Sequence, residues 1–209
     1  MKTRLLFSTF LASALILTGC ANKDSNQDDK QHHTTASQVP KHVKKLKESD
    51  IFTSNKKNAD ISEKEMKEAL TKYLAVNNDI LDNKYYMQHE LDKQSDSQTK
   101  VTDKQADRLS ELSNLTVKND LHFKNFVADN HIPKSYDKNT QRIINYFKAL
   151  NSAISNVDET IEKLSYQPQN SINIVDVPTN YAGDVNKSQQ DKIKDFLKSK
   201  DIPTDAINK

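Results

Sequence analysis

Apolar residues return at helical spacing along most of the chain after residue 60 and predict four helices. Met66, Leu70, Tyr73, Leu74, Asn77, Ile80, Leu81 and Leu91 share one face of a helix running from Ser62 to near Lys93. Ser62 and Glu65 form a capping box at its start, with Ile61 and Met66 at staple positions. The polar stretch 94–100 reverses the chain. Thr102 and Gln105 open a second helix with the stripe Ala106, Leu109, Leu112, Leu115, Asn119, Phe123, Phe126 and Val127. It should stop near Asn130, because Pro133 disfavours helix at the residue before it. Asp137 is the expected cap of a third helix, whose apolar face carries Ile143, Ile144, Phe147, Leu150, Ile154, Val157, Ile161 and Leu164. Three helices of about 28 residues would each span about 40 Å.

Residues 166–187 break this rhythm. Ile172, Ile174 and Val177 form an extended-looking run between Pro168 and Pro178, a long irregular connection of the kind that either carries the chain along a bundle or binds something. A shorter helix over about Lys187–Lys200, with Ile193, Phe196 and Leu197, completes the chain and is closed by Ile202-Pro203. The expected fold is all-α: three long helices plus a shorter C-terminal one, in a domain over 60–209. One echo stands out: Phe123-Lys124-Asn125-Phe126-Val127 with Ile132-Pro133 resembles Ile193-Lys194-Asp195-Phe196-Leu197 with Ile202-Pro203. Helices ended by the same stop chemistry explain it better than duplication does.

The front of the chain follows another logic. Lys2 and Arg4 precede an apolar run from Leu5 to Leu17, the order of a secretory signal peptide. The run is shorter than the roughly 20 apolar residues that a membrane span requires. It ends in Leu17-Thr18-Gly19-Cys20, which resembles the bacterial lipobox. That resemblance implies cleavage between Gly19 and Cys20 and a diacylglyceryl group on the Cys20 thiol, with the protein held on the outer face of the cytoplasmic membrane. Residues 20–59 then read as the lipidated cysteine followed by a flexible polar tether, with a basic cluster at Lys41-His42-Val43-Lys44-Lys45-Leu46-Lys47.

Composition narrows the chemistry. The chain holds 31 basic and 29 acidic residues; residues 1–19 contain Lys2, Arg4 and no acid, so 29 of each remain after cleavage. A near-neutral body lacks the concentrated basic face of a nucleic-acid binder. Cys20 is the sole cysteine, which removes disulfides and thiol catalysis. Only Gly19 and Gly183 are glycines, too few for phosphate-cradling loops or nucleophile elbows. No His lies in an HExxH pattern or three residues after a Glu, so no metal site is expected, and no cofactor beyond the lipid.

Within the second helix stands Asn119-Asp120-Leu121-His122-Phe123. With the lipobox and the long helix from Ser62, it resembles the Gram-positive surface lipoproteins named for an NDxxF motif, a family of unassigned function. The resemblance implies a small helical lipoprotein and supplies no reaction. Asn119 and Phe123, four residues apart, share the core-facing stripe, so Asn119 is expected to bond a neighbouring helix or loop backbone. Asp120 should pair with a lysine or cap a loop, and the remaining carboxylates should lie on solvated faces. The function expected is binding or scaffolding at the membrane–wall interface without catalysis, with a surface protein or wall polymer as partner. A wall-modifying hydrolase using scattered carboxylates, or a solute-binding lipoprotein, is the alternative.

Overall fold

The computed structural model describes residues 39–96, 100–157, 159, 161 and 172–208, all within one compact unit, Gln31–Lys209. Helices delimited among them are α1 (Glu63–Asp96), α2 (Asp103–Ala128), α3 (Lys134–Leu150), α4 (Ser152–Ser155) and α5 (Lys187–Ser199), and Val157, Glu159 and Ile161 are also helical. Short 3-10 turns lie at Thr179–Tyr181 and Asp205–Ile207. The described residues contain no strand, only one parallel bridge between Asp60 and His131. The protein is an all-α bundle.

Local chemistry sets the helix starts. Ser62 Oγ accepts from the Glu65 backbone N–H at 3.3 Å, while Glu65 Oε2 accepts from Ser62 N at 2.9 Å. Thr102 and Gln105 reproduce that reciprocal cap on α2. Asn186 caps α5 by accepting from Gln189 N. The two helix ends that share a sequence echo stop differently. At α5, Asp201 takes a left-handed conformation (φ 51°), Ile202 N donates to Leu197 O and Asp201 N to Lys198 O, a Schellman motif. At α2, the Asn130 side chain donates back to Phe126 O instead. The echo therefore reflects neither a shared cap nor a repeat.

Two clusters fill the interior. One gathers Tyr73, Phe123, Phe126, Tyr136, Tyr146, Phe147 and Phe196 with aliphatic neighbours from α1, α2, α3 and α5. The other is aliphatic: Ile80, Met87, Leu91, Leu109, Leu112 and Leu115 from α1 and α2, closed by Leu46, Ile51, Ile154, Ile172 and Ile174.

Three expectations need correction. The tether does not extend to residue 59: Leu46, Ile51 and Phe52 are buried, so the packed body begins well before residue 60. We call residues 44–61 the strap. It is not helical, and its apolar side chains cover the space between α1 and α2. Next, α3 starts at Lys134, directly after Pro133 (φ −59°), with Asp137 inside its first turn rather than capping it. Proline's fixed φ suits the residue that leads into a helix. Finally, the third helix is interrupted at Asn151; Ser152–Ser155, Val157, Glu159 and Ile161 are again helical, and Leu164 lies outside the described residues. The break falls where the Leu150 carbonyl accepts Lys84 Nζ at 2.5 Å and Asn151 turns its amide inward.

Candidate functional site

The NDxxF residues sit where the strap, α1 and the α3–α4 break meet. Asn119 is fully buried, and its Oδ1 accepts the Phe52 backbone N–H at 3.0 Å. One turn on, His122 Nδ1 lies 3.0 Å from the Phe52 carbonyl. A carbonyl can only accept, so that ring nitrogen carries the hydrogen and donates. Two side chains at i and i+3 on α2 thus satisfy both backbone groups of one strap residue, as a neighbouring strand would. Phe123 completes the grip: it stacks on Tyr73 (4.1 Å between centroids, 9°) and meets the Phe52 ring edge-on at 5.2 Å.

Further side-chain amides hold the rest of the strap. Asn83 Nδ2 donates to Lys44 O, and Asn130 takes Ala59 N on its oxygen while donating to Lys56 O. The crossover is held the same way. Gln88 donates to Ile172 O and accepts from Ile174 N, both at 2.8 Å. Every one of these is a backbone group that no helix satisfies, and leaving it buried without a partner would cost about 1–3 kcal/mol.

Asp120 faces the other way and forms a charged centre. Tyr73 Oη donates to its Oδ1 at 2.8 Å, and Asn151 Nδ2 lies 3.4 Å from Oδ2 while also donating to Asn77 Oδ1 at 3.0 Å. Lys84, 1% exposed, reaches the same region from α1. Burial raises the Asp120 carboxyl to about 6, against the opposing pull of Tyr73, Asn151 and Lys84. Burial lowers the Lys84 ammonium to about 7, with Asp120 as the attraction that opposes this. The Tyr73 phenol is pushed well above its usual value, first by burial and then by the Asp120 charge. Asn119 Nδ2 and Asn151 Oδ1 have no hydrogen-bond partner among the described residues.

The structure thus brings Asn119, Asp120 and Phe123 together around Phe52 and Tyr73, while Gly19 and Cys20 lie outside the described residues. Asp120 lies opposite a lysine, Lys84, as expected, but it is buried rather than at the surface, because α2 turns it into the contact with α1 and the α3–α4 break. Sequence reasoning also missed Lys84, Gln88 and His122. The signal for the first two was positional: Lys84 stands seven residues after Asn77, and Gln88 seven after Leu81, both inside the buried stripe of α1. Among the described residues no group of three or more His, Cys, Asp or Glu is placed to hold a metal ion, and no helix is long and apolar enough to cross a membrane. No protein-family model matches the chain, nor does any curated protein or solved structure.

Proposed function

We propose that the protein is a lipid-anchored lipoprotein whose helical body acts as a binding or scaffolding module between the outer face of the cytoplasmic membrane and the wall. The carrying observation is Leu17-Thr18-Gly19-Cys20 behind an apolar run, followed by a polar stretch that leads into the body. Lipidation at Cys20 would place the strap next to the membrane attachment. The clasp at Phe52 supports this reading, because it fastens the chain leaving the tether directly to the centre of the bundle. The hydrolase alternative needs two facing acids, whereas Asp120 faces a phenol, an amide and an ammonium.

The test is metabolic labelling of expressing cells with an alkyne fatty acid, for the natural chain and for Cys20→Ala. Label and membrane retention in the natural chain only are expected. An unlabelled natural chain, or a Cys20→Ala protein that stays in the membrane, would overturn the anchor. Cross-linking on intact cells tests the binding role; recovery of no wall or surface component above background counts against it.

A further inference from the structure

A polar groove lies between α3 and the start of α5, far along the chain from the clasp. It encloses about 360 Å³ and is lined by Lys138, Gln141, Arg142, Asn145, Asp184 and Gln189. Its floor is organised around one guanidinium. Arg142 Nε donates to Gln189 Oε1 at 3.0 Å, and its Nη1 donates to Asn139 Oδ1 at 2.5 Å. Both partners are neutral amides, so they fix the plane of the fork without cancelling its charge. Gln189 is itself well placed, since its backbone N–H is capped by Asn186 on the first turn of α5.

What sets Arg142 apart is that two neutral side chains hold its guanidinium, whereas several surface lysines are held by carboxylates. Lys44, Lys56, Lys118, Lys187 and Lys200 each lie against a carboxylate. Among the described residues Arg142 and Lys138 have no carboxylate partner, although Asp184 lines the same groove. Arginine is also a rare choice here: the chain contains only Arg4, Arg108 and Arg142 among its 31 basic residues. A held fork with free Nη hydrogens matches a tetrahedral oxyanion, and a second cation beside it favours phosphate over a neutral sugar. Gln141 Nε2 donates to Asn145 Oδ1 at 3.0 Å, and the remaining donors and acceptors of these two amides, with the Asp184 carboxylate, are left for hydroxyl groups flanking that phosphate.

From this geometry we infer that the groove binds a phosphodiester-linked polyol, with Arg142 and Lys138 on the phosphate and the amides and Asp184 on the hydroxyls. The assignment to a polymer of the wall rests on the extracytoplasmic reading above; the site itself rests on the groove. A phosphodiester carries a single negative charge, which suits two cations offset by one carboxylate.

The test is titration of the full-length Cys20→Ala chain with a short poly(glycerol phosphate), followed by amide NMR. The control probes are inorganic phosphate, polyglycerol and polyglutamate. Saturable shifts on the 138–145 and 184–189 segments are expected with the phosphodiester polymer and not with the others. Arg142→Lys keeps the charge and loses the fork, and is expected to weaken binding about ten-fold, the value of one charge-assisted pair. Lys138→Gln, an exposed change that leaves the fold alone, should also weaken it, whereas Lys198→Gln should not. Equal binding by Arg142→Lys and the natural chain, or equal losses in Lys138→Gln and Lys198→Gln, would reduce the effect to diffuse charge and overturn the site. Binding of polyglutamate or phosphate alone at the same strength would overturn the ligand class. Absence of binding by the Cys20→Ala chain, while the natural chain is labelled at Cys20 in cells, would sink the groove and leave the anchor standing.

Discussion

The two halves of the interior are closed by different means. The aromatic half is covered chiefly by α3 and α5, whose own hydrogen bonds satisfy their backbones, with Phe52 and Ile61 of the strap and Ile202, Ala206 and Ile207 filling its margin. The aliphatic half is covered by the strap and the crossover, which have no helix of their own around residues 46–52 and 172–175. A non-helical segment brings unsatisfied N–H and C=O groups into the core, and here long polar side chains from α1 and α2 meet them. Gln88 serves Ile172 and Ile174 in the aliphatic half, and Asn119 with His122 serves Phe52 where the halves join. Helices satisfy their own backbones as they close a core; the irregular segments here rely on side chains at Phe52, Ile172 and Ile174 and on backbone of residues 129–131 at Asn58 and Ile61.

The largest expected effect breaks the aromatic half. Phe123→Ala removes the ring stacked on Tyr73 and should cost about 3–5 kcal/mol in urea unfolding. Leu109→Ala, in the aliphatic half, should cost less if the strap can settle into the space, and the difference measures how yielding that closure is.

The charged centre between the halves predicts a pH signature. Lys84 titrates near 7 folded and 10.5 unfolded, so the unfolded chain binds the extra proton between those values and stability rises with pH across that window. Asp120 titrates near 6 folded and 3.8 unfolded, so the folded state binds the extra proton there and stability falls as pH rises from 3.8 to 6. This centre is therefore least favourable between pH 6 and 7. Comparing thermal melts of the natural chain and Lys84→Met isolates the first window: the rise between pH 7 and 10.5, on the order of a few kcal/mol, should vanish in the variant. An unchanged rise would mean that Lys84 is solvated.

The clasps sharpen the comparison at lower cost. Asn119→Ala and Gln88→Ala should each cost about 1–3 kcal/mol, because each leaves buried backbone groups without a partner. The losses should be local: the strap loosens in one variant, the crossover in the other. The smallest effect belongs to the regular half. Asp201→Gly relieves a left-handed residue at the α5 terminus and should stabilise by about 1 kcal/mol or less, with no change at the strap.

These differences also explain what the sequence made legible. The capping boxes at Ser62 and Thr102 and the apolar stripes of α1 and α2 are local signals, readable within a few residues. The strap is not, because Phe52 finds its partner 67 residues away in Asn119, and Ile174 finds Gln88 86 residues away. Lys44 to Lys47 read as a solvated basic run, although Leu46 within it is buried. Lys84 carried no local signal of burial beyond its place in the α1 stripe, seven residues after Asn77. Asn119 and Phe123 were legible as core-facing, but nothing near them announced which backbone the amide would meet. For Asp120 a lysine partner was legible, but not which lysine, because its partners come from α1 and the α3–α4 break.

Native-state hydrogen exchange at the Phe52 and Ile174 amides tests the side-chain closure most directly. Both should be protected in the natural chain; Asn119→Ala should expose Phe52 and spare Ile174, and Gln88→Ala should do the reverse. Rapid exchange of both amides in the natural chain, or their joint release by either substitution, would contradict it.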